Sequence, residues 1–190
     1  MRLAAAATSI GRPMRRLLVA ATLVLVALAP AVHAAPAKRP WATVNVCEVG
    51  GEPNTVGVRA GMPGNGTRQR MFMRFEIQWR DPDRRRWRRV GSRSPWIRAG
   101  SARFRTVQRG YDFDFQDPPA GVSFRLRGLV RFQYRATRRM RRGGPARRRA
   151  VVVRRARRIT RAGYSGVRGG RPPGRSDATC AIEGPEQPED

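Results

Sequence analysis

The stretch VSFRLRGLVRFQYRA (122–136) alternates apolar and basic residues along its whole length. Val122, Phe124, Leu126, Val130, Phe132 and Tyr134 fall on one side of an extended chain, and Arg125, Arg127, Arg131 and Arg135 on the other. A period of two is what a strand with one buried face requires, because successive side chains point to opposite faces of a sheet. Gly128 stands in register on the apolar side and is expected to mark a bend or bulge. RMFMRFEIQWR (70–80) repeats the pattern. Met71, Met73, Phe75, Ile77 and Trp79 share one face; Arg70, Arg74, Glu76, Gln78 and Arg80 share the other, where only Phe72 is apolar.

Working outward, DPDRRR (81–86) reads as a turn and WRRV (87–90) as a return strand. YDFDF (111–115) alternates Tyr111, Phe113 and Phe115 with Asp112 and Asp114, and PPAG (118–121) breaks the chain before the long strand. Weaker strand patterns occupy ATVNVCE (42–48), TVGVRAG (55–61), ARFRTV (102–107) and ATCAIE (178–183). So many short strands, with almost no helical period, predict an all-β antiparallel fold, a sandwich or barrel.

At IQWRDPDRRRWRRV the chain resembles the C–C′ region of fibronectin type III and related immunoglobulin-like domains, where a Trp follows the turn. PPAGVSFRLRGLVRFQYRA is similar to their E–F corner and F strand, with Phe124 where the family places a corner tyrosine. The resemblance covers about 70–136 and implies a single immunoglobulin-like, fibronectin III-like antiparallel β-sandwich of a secreted bacterial protein.

The amino terminus has a different character. Met14-Arg15-Arg16 precedes the apolar run LLVAATLVLVAL (17–28), then Pro30 and the small-residue segment AVHAAPA (31–37). A basic start, a short apolar core and a small-x-small site together describe a signal peptide over 1–35, with cleavage near Ala34 or Ala35. From Leu17 to Val32 the apolar run is 16 residues, short of the ~20 that a spanning helix needs. No membrane span is expected after cleavage, and either Met1 or Met14 serves as a start for such a signal. The expected destination is extracellular or in the cell envelope.

Export constrains the chemistry. The one histidine, His33, lies at the expected cleavage site, so a Ser-His-Asp triad, a Cys-His pair and a histidine-held zinc are excluded from the mature chain. The two cysteines, Cys47 and Cys180, are expected to pair as a disulfide joining the two ends of a domain over 36–183. Asp112, Asp114 and Asp117 lack the glycine and closing glutamate of a calcium loop. Asn65-Gly66-Thr67 matches a glycosylation acceptor, but MPGNG (62–66) reads as a turn. Glu76 is expected to point outward toward cross-strand arginines. No catalytic residue, metal ligand or cofactor site is predicted.

Charge dominates the composition: 40 Lys+Arg against 13 Asp+Glu, a formal +27. Cleavage would remove Arg2, Arg12, Arg15 and Arg16 and leave +23. Lys38 is the only lysine, which fits a high-GC codon bias, but bias does not explain the excess of base over acid. Such a chain attracts polyanions with strong salt dependence.

The excess is densest in RRMRRGGPARRRAVVVRRARR (138–158). A nucleic-acid arm would interleave aromatics, which this run lacks, and export removes it from the genome. A basic amphipathic helix would have Val152, Val153, Ala156 and Ile159 on one face, but consecutive valines disfavour helix. The favoured reading is a hairpin: strand 122–136 turns around Gly143-Gly144-Pro145 and returns through AVVVRRARRIT (150–160), with a mobile basic tip over 137–149. Residues 161–177 read as a Gly/Pro-rich loop and 184–190 as a disordered acidic tail. The expected function is non-enzymatic binding of anionic envelope polymers through Arg141, Arg142, Arg147, Arg148 and Arg149. The alternative is a structural module that docks on another exported protein, its charge being incidental.

Overall fold

The computed structural model describes residues 39–50, 52–103, 106–141 and 147–186; the expected signal peptide, Arg142 and the glycine-proline turn lie outside the described residues. The described residues form nine strands and no helix. They are β1 (Trp41–Val49), β2 (Glu52–Pro63), β3 (Arg70–Asp81), β4 (Arg86–Val90), β5 (Ile97–Ser101), β6 (Thr106–Asp114), β7 (Ser123–Met140), β8 (Arg147–Ile159) and β9 (Cys180–Glu183). One antiparallel sheet has the order β1-β2-β6; the other has β4-β3-β7-β8, with β5 added to β3 and β9 to β7.

The inner strands β3 and β7 are each bordered on their outer side by two partners in tandem. β4 pairs Ile77–Asp81 of β3 while β5 pairs Arg70–Met73, and β8 and β9 divide β7 in the same way. A buried hydroxyl bridges each gap. Ser94 accepts from the Phe75 amide at 2.9 Å, and Thr160 accepts from the Gly128 amide at 3.1 Å while donating to the Ala178 carbonyl at 2.6 Å. Each hydroxyl satisfies a backbone group that would otherwise be buried unpaired, a loss of about 1–3 kcal/mol.

The apolar faces of the two sheets meet in one core. Val44, Val56, Val58 and Met62 from the first sheet pack with Met71, Met73, Phe75, Ile77, Leu126, Val130, Phe132 and Tyr134 from the second. All are essentially inaccessible, and burying each large apolar side chain contributes about 1.5–3 kcal/mol. The Tyr134 hydroxyl donates to the Pro63 carbonyl at 2.6 Å across the sheets. Cys47 of β1 and Cys180 of β9 form the expected disulfide, with Cα atoms 5.5 Å apart.

Four details differ from expectation. ARFRTV is not one strand: β5 ends at Ser101, the Ala102 amide and carbonyl bond back to Gln69, Asn65 and Gly66, and β6 starts at Thr106 in the other sheet. IRAGS (97–101), poor in strand formers, is a strand nonetheless because it completes the β3 edge. Gly128 pairs regularly with Ile77; its missing Cβ makes room for Val58 and Thr160, whose side chains would stand 2.8 Å from one. The bulge lies further on, between Tyr134 and Arg135 in the β7–β8 ladder. The hairpin arms also run further than expected, since Met140 pairs with Arg147, so 137–140 and 147–149 are strand and not a mobile tip.

The loop 161–177 carries no strand, as expected, yet it lies along β1. Backbone bonds join Asp177 to Val44, Arg161 to Ala42 and Arg171 to Asn45, and Tyr164 stacks on Trp41 at 4.9 Å. Gly184 and Pro185, at the start of the expected tail, bond to Val122 and Gly121.

Candidate polyanion-binding face

Because Met71, Met73, Phe75 and Ile77 point into the core, β3 turns Arg70, Phe72, Arg74, Glu76, Gln78 and Arg80 to the outside. The same alternation exposes Arg125, Arg127, Arg131, Gln133 and Arg135 of β7, and Arg155 and Arg157 of β8 flank the inward Ala156. The outer face of the larger sheet is therefore a lattice of arginines. β7 and β8 together hold thirteen arginines and no carboxylate.

Aromatic rings are set among them. Arg127 lies over Trp87 at 4.1 Å, Arg135 over Phe72 at 4.0 Å and over Trp96 at 5.2 Å, and Arg74 over Trp96 at 5.2 Å. A guanidinium stacked on a ring is held flat, and its in-plane N–H donors stay free to meet an oxyanion. Burial lowers the Arg127 pKa, with Arg80 adding to the effect; burial, then Arg70 and Arg74, lowers that of Arg135. Both guanidiniums remain charged at neutral pH.

A groove of about 540 Å³ runs through this face, lined by Arg74, Arg93, Arg131, Arg155 and Arg157 around Trp96. Among the described residues, the carboxylate paired with its arginines is Glu76, which is on the outer face as expected but only 4% exposed because arginines cover it. Glu76 accepts from Arg93 Nε at 2.7 Å and lies 3.6 Å from Arg131 Nε. Arg131 Nε is buried without a hydrogen-bond acceptor, and Arg155 and Arg157 have no carboxylate partner among the described residues. A second depression of about 370 Å³, with Arg127, Arg158 and Arg161, joins the first at Arg157.

The five arginines singled out from the sequence do not form one cluster. Arg141 is exposed just beyond β7, and Arg142 lies outside the described residues. Arg147, Arg148 and Arg149 are exposed strand residues opposite Met140, Arg139 and Arg138. Alternation puts Arg139 and Arg148 on the outer face and Arg138, Arg147 and Arg149 on the reverse. The groove residues Arg93, Arg155, Arg157 and Trp96 were missed. The signal was available for the strand residues, since arginines two apart on neighbouring strands share a face.

A separate cleft of about 870 Å³ opens between the sheets where the second half of β6 faces β4. The rings of Trp79, Tyr111, Phe113, Phe115 and Phe124 line it. Asp112, Asp114, Asp117 and Arg93 stand around it. The three carboxylates have separate partners: Asp114 accepts from the Thr55 hydroxyl at 2.8 Å, Asp117 accepts from the Asn54 amide, and Asp112 attracts Arg59. No protein family and no curated protein matches this sequence.

Proposed function

We propose that the protein is an exported, non-enzymatic binding module that holds anionic polymers of the cell envelope on the arginine-rich face of its larger sheet. The observation that carries this reading is the β7–β8 hairpin, where Arg139 faces Arg148 and Arg131 faces Arg157 on the outer side. Like charges directly opposite each other destabilise a ladder. A polyanion laid along the hairpin supplies the missing negative charge and releases its own counterions. The reading moves the binding site from the hairpin end alone to the whole face, centred on the groove.

An immunoglobulin-like, fibronectin III-like scaffold is part of the proposal. It is supported by the pairing of β2 with β6 in one sheet and the β3-β7-β8 order in the other, which correspond to B–E and C–F–G of such domains. The disulfide departs from the usual B–F bridge of antibody domains, since it joins β1 to β9.

The test is co-sedimentation of the purified exported chain with isolated envelopes over a salt series, beside Arg155→Gln/Arg157→Gln. Binding should fall steeply and log-linearly with salt, and the variant should flatten the slope by about one to two. Binding indifferent to salt and to the variant would refute the proposal and point to docking on another exported protein.

A further inference from the structure

The ring-lined cleft and the arginine groove are neighbours. Arg93 lines both, and Glu76 holds its Nε between them. Arg157 then connects the groove to the second depression. One extended ligand can therefore follow a continuous path from aromatic rings, past Arg93, onto unpaired arginines.

The two ends of this path ask for different chemistry. The cleft offers the rings of Trp79, Tyr111, Phe113, Phe115 and Phe124 with Asp117 beside them, while the Asp112 and Asp114 carboxylates alternate with the rings along β6 and turn toward Arg59 and Thr55. A phosphate or carboxylate group entering there meets Asp117, and a cation approaches against the field of a chain with 40 basic and 13 acidic residues. A sugar ring satisfies both features. Its C–H face packs on aromatic side chains, and its hydroxyls donate to a carboxylate with an oxygen to spare. Asp117 accepts one side-chain bond through a single oxygen, which leaves the other oxygen as an acceptor. The groove takes the opposite kind of group, a compact oxyanion among five arginines with a single carboxylate nearby.

We infer that the polymer is an anionic polysaccharide, its sugar rings seated in the cleft beside Trp79 and Phe113 and its charged groups in the groove at Arg131, Arg155 and Arg157. This inference rests on the polyanion reading above and adds the carrier of the charge. A nucleic acid fits less well, because every nucleotide brings a phosphate, and a base placed in the cleft would bring one against Asp117.

The test is calorimetric titration of the exported chain with three probes of equal total charge: an oligosaccharide of alternating neutral and uronate sugars, an oligothymidylate and a linear polyphosphate. The oligosaccharide is expected to bind about tenfold more tightly than the other two, the scale of a stacking platform. Phe115→Leu removes a ring from the cleft while keeping its apolar bulk, and should abolish that advantage without changing polyphosphate affinity. Arg155→Gln/Arg157→Gln should weaken all three probes. Should Phe115→Leu fail to fold, Asp117→Asn at the edge of the cleft provides the same comparison. Equal affinities, or an advantage that survives the cleft variants, would overturn the polysaccharide inference and leave the polyanion reading standing. Tighter binding of oligothymidylate would replace the sugar with a nucleic acid. No binding of any probe would overturn both.

Discussion

The outer third of the β7–β8 hairpin is held together by main-chain bonds against its own charge, and relieving that charge should stabilise the fold. Arg148 and Arg149 stand directly opposite Arg139 and Arg138. Two guanidiniums about 5.5 Å apart in water repel by about 0.75 kcal/mol, and cross-strand like-charge pairs fall in the range of about 0.2–1 kcal/mol. Arg148→Gln/Arg149→Gln removes both pairs and should stabilise the protein by about 1 kcal/mol at low salt. For a domain of this size that raises Tm by about 2–4 °C. At about 0.15 M ionic strength, where the Debye length is about 8 Å, the gain should drop to about half. Thermal unfolding followed by circular dichroism at the two ionic strengths measures this. The same variant should gain less Tm than the wild type from added polyanion, because ligand stabilisation scales with affinity. A variant that melts lower than wild type at low salt would refute the reasoning, since these arginines would then be held by favourable contacts.

Three further outcomes are expected. Opening the disulfide with Cys47→Ser/Cys180→Ser releases a loop spanning 133 residues and should cost up to about 5 kcal/mol in urea unfolding; a loss below about 1 kcal/mol would contradict its role as the tie between the chain ends. Burial holds the Tyr134 phenol above its ordinary pKa near 10, while Arg154 opposes the shift. The unfolded chain therefore loses this proton first, so stability is complete below pH ~10 and falls as pH rises through the folded value. Tyr134→Phe should flatten that alkaline loss and cost about 1–3 kcal/mol at neutral pH by orphaning the Pro63 carbonyl; an unchanged alkaline profile would count against it. Thr160→Val leaves the Gly128 amide buried and unpaired, and should cost about 1–3 kcal/mol in the same urea assay, whereas a neutral result would mean that the β8–β9 gap needs no bridge.

The strands legible in the sequence were those whose two faces meet different surroundings. In 70–80 and 122–136 one face is core and the other arginine, so hydrophobicity alternates, and the burial of Met71 to Ile77 and of Leu126 to Tyr134 follows that alternation. β5 was not legible because Ala99 and Gly100 contribute little side chain, and what makes it a strand is the vacant edge of β3. The break at Ala102 was hidden because alternation continues across the crossing from one sheet to the other. The site was half legible. Arginine density drew attention to the hairpin, but the groove depends on which strands are neighbours. Arg93 with Trp96, Arg131 and Arg155 come from three separate stretches that adjoin through the pairing of β3, β7 and β8. The run 138–158 contains no aromatic residue, whereas Phe72, Trp87 and Trp96 reach the arginines of β3 and β7 across the sheet.

β8 pairs with β7 along one side, and no further strand pairs with it among the described residues. Its sequence contains Ala150-Val151-Val152-Val153, an apolar, β-favouring run on an open edge with backbone donors and acceptors to offer. Such an edge invites a second molecule to add its own strand, and charged flanks are what keep it solitary. Arg147, Arg148 and Arg149 precede the valines and Arg154 and Arg155 follow them, so two copies meeting edge to edge bring arginine against arginine. The charge that captures a polymer thus doubles as the chain's gatekeeper against aggregation. A polymer that saturates it disarms that guard, and the protein should remain clear in solution alone yet turn cloudy where added negative charge matches its own.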